Sequence, residues 1–206
     1  MILEACVENL NEALKAESRG ANRIELCDNL YVGGTTPSAG TILMAHKALK
    51  IPVMVLIRPR SGNFVYSDLE ISIIKHDIEV CKHIGVEGIV IGALHHDFTI
   101  NVELMKEFIR IARPMQVTFH KAIDETPNII EEFEKLIRLG VDHVLTSGGH
   151  GNAREGSEVI NEMVRISDGK VKILAAGKIT ETTLNEHIEG INTDEFHGKL
   201  IVGDLS

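Results

Sequence analysis

Residues 1–27 read MILEACVENLNEALKAESRGANRIELC and hold one whole repeat of the chain's plan. Ile2–Cys6 is a short apolar run, a helical-period segment follows, Gly20 closes it, and Arg23–Cys27 is a second short run. A strand, a crossover helix and a returning strand form a right-handed parallel unit. Working outward, further runs stand at Val53–Ile57, Gly88–Ile91, Gln116–Phe119, His143–Leu145, Val171–Ala175 and Glu195–His197. They are brief and mostly unalternating, as parallel strands covered on both faces require.

The segments between the runs carry helical periodicity. Ile73, Ile74, Ile78, Cys81 and Ile84 share one face, as do Phe133, Leu136 and Ile137. Ser67 reads as a helix start, and so do Thr126, with Pro127 at the first helical position, and Thr180. Gly85 and Gly140 read as helix stops. Eight strict βα units predict a TIM-type (β/α) barrel of parallel strands in one domain, residues 1–206. An open doubly wound sheet is disfavoured, because no GxGxxG fingerprint follows an early strand. Only nine residues follow His197, too few for a full helix. The outer helical ring is therefore expected to be incomplete at the C-terminus, or to be covered there by a neighbouring subunit.

The chain has 206 residues, fewer than the roughly 250 usual for a complete barrel of this type. Trp is absent and aromatics make up 4%, so Ile, Val, Leu and Ala must build the core. The net charge of -9, with no basic stretch, argues against nucleic acid and anionic membrane as partners. A basic leader followed by an apolar core is missing, and no apolar run approaches about 20 residues, so a cytoplasmic location is expected. Three cysteines, an odd number without finger spacing, read as reduced thiols.

Barrels of this kind work at the C-terminal ends of their strands. The first two strands end in the same Glu-x-Cys pattern, Glu4/Cys6 and Glu25/Cys27. Residues two apart share a face, so neighbouring strands about 4.8 Å apart bring the two thiols together. Paired sulfurs suit a thiophilic ion such as Cu(I), and they equally suit two small buried hydrophobes. Arg58 and Arg60 end the third strand; they either neutralise Glu4 and Glu25 or clamp an anionic ligand. His120 and Asp124 are the best general acid/base candidates. Lys121 faces the opposite way from His120 unless the strand has already ended. The glycine-rich turns at Ser147–Gly151 and around Gly177 either offer N–H groups to an anion or simply make tight turns.

Taken in order, LEACVEN (3–9), RIELC (23–27), GGTTPS (33–38), IRPRSGNFVYSD (57–68), VTFHKAID (117–124), VLTSG (144–148) and EFHG (195–198) resemble the CutC family, named for copper homeostasis. The resemblance spans nearly the whole chain. It implies a (β/α) barrel, a cytosolic homo-oligomer (dimer or tetramer) and a role in copper handling, with no organic cofactor. The family's proposed Cu(I) ligands fall on Cys6 and Cys27. Its mouth pattern matches Glu4, Glu25, Arg58, Arg60, His120, Asp124, Ser147 and His197. The chain departs from the pattern at Lys121, where Arg is common, at Ser61, where Gly is usual, and in its short segment beyond Gly198.

Two functions follow as expectations. One is a copper homeostasis protein binding Cu(I) through Cys6 and Cys27. The other is a barrel enzyme acting on a small anionic or phosphorylated metabolite. In it His120, Asp124, Glu4 and Glu25 supply acid/base chemistry, while Arg58, Arg60, Ser147, Gly177 and His197 bind the ligand. A third, blander expectation is an oligomeric scaffold, motivated by the apolar flank that a missing last helix would expose.

Overall fold

The computed structural model describes all 206 residues. Eight parallel strands close in sequence order, each neighbour being the next in the chain. The first half comprises β1 (Ile2–Val7), α1 (Leu10–Ser18), β2 (Arg23–Leu26), α2 (Ala39–Ala48), β3 (Val53–Leu56), α3 (Asp68–Ile84) and β4 (Gly88–Ile91). The second half comprises α4 (Val102–Ala112), β5 (Gln116–Phe119), α5 (Ile129–Leu139), β6 (His143–Thr146), α6 (Ser157–Ser167), β7 (Lys172–Ala175), α7 (Leu184–Gly190) and β8 (Glu195–Gly198). Every expected strand is present, within a residue or two of the apolar run that announced it.

Strand parity sorts the side chains into two cores. Ala5, Val7, Ile24, Leu26, Val53 and Val55 face outward and join the large core beneath the helices. The alternate residues face inward and stack in layers drawn from every second strand. Arg23, His143 and Glu195 form the lowest layer. Glu4, Met54, Thr118 and Leu174 lie above them, then Glu25, Val90, Leu145 and His197, then Cys6, Leu56, His120 and Ala176. Gly88 takes the remaining place in the lowest layer, because a Cβ there would strike Met54 and the Gln116 carbonyl. Barrel interiors are usually filled by branched apolar residues; this one is charged along the β8–β1–β2 side and apolar opposite.

Local signals explain most helix ends. Ser67 caps α3 in a reciprocal box with Glu70, and Gly85 and Gly140 end α3 and α5 in the left-handed conformation. Two expected starts move. Thr126 donates its hydroxyl to the Ile123 carbonyl, 2.7 Å, and Asn128 caps α5 instead. Thr180 pairs with Thr183 in a turn, and α7 begins only at Leu184.

Within residues 1–206 no helix follows β8. The exposed flank expected with it is not found. Residues 199–206 fold across the gap, burying Ile201, Val202 and Leu205, and the Lys15 ammonium holds the Leu205 and Ser206 carbonyls at 3.2 and 3.0 Å. The physical reason is that a short irregular tail, pinned by side chains of α1, covers apolar surface as well as a helix would. No helix is long and apolar enough to cross a membrane.

Candidate functional site

The inward parity of β1 and the end of β2 bring Cys6 and Cys27 together with their Sγ atoms 3.7 Å apart, both buried and neither in a disulfide. Hydrogen bonding from Cys27 lowers Cys6 most; burial opposes it, His197 assists, and the thiol settles at about 5. The same hydrogen bond, with burial, pushes Cys27 well up. The two thiols share one hydrogen bond and are shifted in opposite directions. Cys81 sits on the core face of α3 and burial raises it to about 12, which marks it as core filler.

His197 stands beside the thiols on β8. Its Nδ1 meets a Glu4 oxygen at 2.8 Å, and its Nε2 lies 3.5 Å from Glu25. Burial alone would lower His197, but hydrogen bonds with Cys6 and Glu4 outweigh it and raise the ring well above its usual value. Burial would raise Glu4, yet His197 and Arg23 hold it at about 2. Glu25 goes the other way, pushed well up by burial and by the charge on Cys6. Cys6, Glu25 and Cys27 form one potential metal-ligand group, and Glu4, Glu25 and His197 form a second.

The partner of Glu4 was missed in the sequence. It is Arg23, whose Nε donates to Glu4 while Nη2 donates to Glu195 at 2.6 Å and Nη1 lies 3.3 Å from His143 Nε2. A signal was available: Arg23 lies two residues before Glu25, hence on the same face of β2.

Neither Arg58 nor Arg60 neutralises Glu4 or Glu25. β3 ends at Leu56, so strand parity no longer governs them. Arg60 turns outward to Glu70 and to the Asn63 and Val65 carbonyls, 2.8 Å each, where it ties the β3–α3 loop. Arg58 turns inward and is 6% exposed. Its Nη1 donates to the Gly33 and Gly34 carbonyls (2.9 and 3.1 Å) and its Nη2 to Gly62 (2.6 Å), while Nε is buried without a partner.

β5 ends at Phe119, where its apolar run ends, so His120 and Lys121 lie beyond it and both reach the mouth. His120 Nδ1 accepts from the Ala122 N–H at 3.2 Å and its Nε2 is buried without a partner. Burial, assisted by the Arg58 charge, lowers this imidazole to about 3. The turn after β6 does form an anion cradle, but Asp124 occupies it. Its carboxylate accepts from the Ser147 and Gly149 N–H groups, both 3.0 Å, from the Thr146 hydroxyl and from Lys121 at 2.8 Å. Burial would raise Asp124, but Lys121 and these donors keep it low. Gly177 serves packing: at φ +109° its Cα lies against Ser147, and its carbonyl accepts from Ala153 N–H at 3.1 Å.

One cavity of about 190 Å³ joins the two sides. Cys6, Cys27, Glu25 and His197 form one wall, and Arg58, Phe64, His120 and Lys121 form the other. The arrangement offers soft donors next to a positively charged, partly apolar chamber.

A family model described as the CutC family matches residues 1–202. The human protein named copper homeostasis protein cutC homolog is 42% identical over 196 residues, covering 95% of this chain and 72% of that protein. A solved CutC structure from Streptococcus agalactiae superposes with a TM-score of 0.93 at 31% identity, covering 98% of this chain and 99% of that one. Deoxyribose phosphate aldolase from Aeropyrum pernix, at 11% identity and a TM-score of 0.71 over 98% of this chain and 87% of that one, shares the barrel alone.

Proposed function

This chain belongs to the CutC family, and from that membership we propose a copper-handling role in which Cu(I) is the cargo and Cys6 and Cys27 are its ligands. The single observation that carries it is the 3.7 Å separation of two free, buried sulfurs. Metal–thiolate bonds of about 2.3 Å let sulfurs at that distance share one ion in a bent arrangement, leaving room for a third donor. Glu25 lies within reach of both sulfurs for that place, and thiolate donors favour Cu(I). Glu4 fixes the ring of His197, which offers Cys6 a hydrogen bond. A cytoplasmic, homo-oligomeric protein is part of the proposal; a monomer by light scattering at micromolar concentration would count against the second half.

The test is an anaerobic Cu(I) titration against a competing chelator. Wild type should bind one ion. Cys6→Ser and Cys27→Ser should lose more than about a hundredfold in affinity, since groups that merely orient a ligand already cost about 10–100-fold. Cys81→Ser should match wild type. Equal affinity across all four proteins would sink the assignment.

A second reading is favoured by a different observation. Arg58 is a buried cation with no carboxylate at salt-bridge distance, facing the same cavity as His120. Copper handling has no use for either group, whereas a small anionic or phosphorylated metabolite entering the cavity would meet both. Protection of the Arg58 and His120 side-chain signals by such a metabolite would support it.

A further inference from the structure

We propose that the wall of the cavity opposite the thiols is a subsite for a small organic carboxylate, gripped by Arg58 and His120. The inference deepens the enzyme reading and rests on it; it does not depend on copper.

The case starts from unused donors. Arg58 has five N–H groups. Three serve the carbonyls of Gly33, Gly34 and Gly62, which leaves the Nε–H and one Nη2–H. His120 adds a third donor, and its tautomer follows from its neighbour. Nδ1 accepts from the Ala122 N–H, so it carries no proton, and a neutral ring must hold its proton on Nε2. That Nε2–H is also without a partner. Both side chains are more than nine-tenths buried, at 6% and 5% exposed, and both line the same cavity. Buried donors are nearly always paired, so unpaired ones on two residues that line one cavity, both nitrogens being closed to water, point to an acceptor that enters it.

Phe64 keeps the place dry. Its ring lies 4.8 Å beneath the Arg58 guanidinium carbon and 4.6 Å from the His120 ring. A charge held by three backbone carbonyls and one ring face, with no carboxylate partner, is costly in such surroundings unless an anion joins it. The donor set then selects the anion. A planar guanidinium edge with one further N–H matches a planar carboxylate. An arginine fork also takes phosphate, but the nest of backbone N–H groups that would serve a phosphate's further oxygens is filled at this mouth by the Asp124 carboxylate. The chamber's 190 Å³ suits a ligand of a few carbons.

The experiment is a nitrogen-15 NMR titration of the metal-free protein with pyruvate and, separately, with inorganic phosphate. The side-chain signals of Arg58 Nε–H and His120 Nε2–H report directly. Pyruvate should shift both saturably, and Arg58→Lys should weaken that binding about ten- to a hundredfold, the worth of a charged hydrogen bond. If Arg58→Lys fails to fold, the wild-type shifts alone decide. Shifts with phosphate and none with pyruvate would overturn the carboxylate while keeping the enzyme reading. No shift with either anion would overturn both.

Discussion

His120 shows how one residue's surroundings set its chemistry. A histidine held neutral in the fold at about 3, but titrating near 6.5 when unfolded, leaves the unfolded chain binding more protons between those values. Its contribution to stability is therefore complete above pH 6.5 and is lost as pH falls from 6.5 towards 3, by up to about 5 kcal/mol. Urea unfolding across that range should show the slope, and His120→Asn should flatten it. Glu4 is the opposite case, an anion held between two cations. Glu4→Gln leaves Arg23 and His197 buried and under-compensated, and should cost about 3–5 kcal/mol in urea unfolding at pH 7. A loss below 1 kcal/mol would mean that the interior layer carries little of the barrel's stability.

At the scale of the element, strand length decides which residues become functional. Because β3 stops at Leu56 and β5 at Phe119, consecutive residues beyond them reach the cavity or turn away from it for reasons unrelated to parity. Arg60 then secures the loop that carries Phe64, through Glu70 of the α3 capping box. Ser67→Ala removes half of that box and should destabilise the protein by about 1 kcal/mol, read as a shift in urea midpoint without a change in slope. Caps, glycine stops and strand runs were legible because each is a local pattern of residue type and period. Asn128 was not, because Thr126-Pro127 carries the same signal two residues earlier and only packing separates them.

For the whole molecule, closure of the barrel is the deciding event. The tail after β8 replaces an eighth helix, so removal of residues 199–206 should expose β8 and the inner face of α1. Ile201, Val202 and Leu205 together should make the loss about 4 kcal/mol or more, measured as a lower melting temperature. An unchanged melting temperature would mean the gap is covered by something else, such as another copy of the chain.

The amino-acid order alone settled that eight short buried strands alternate with helices, and that two neighbouring strands end in inward Glu-x-Cys pairs. Period and spacing are local properties, and they carry that much. Which charge meets which was decided only in three dimensions. Glu4 takes Arg23 and His197, Arg58 is left with carbonyls, and Asp124 fills the cradle expected for a ligand. Those choices depend on residues from 4 to 193 positions apart arriving at the same depth inside a closed barrel, and on a third strand that ends one residue before its apolar run does. Register and closure set both, and neither is written in any single stretch of the chain.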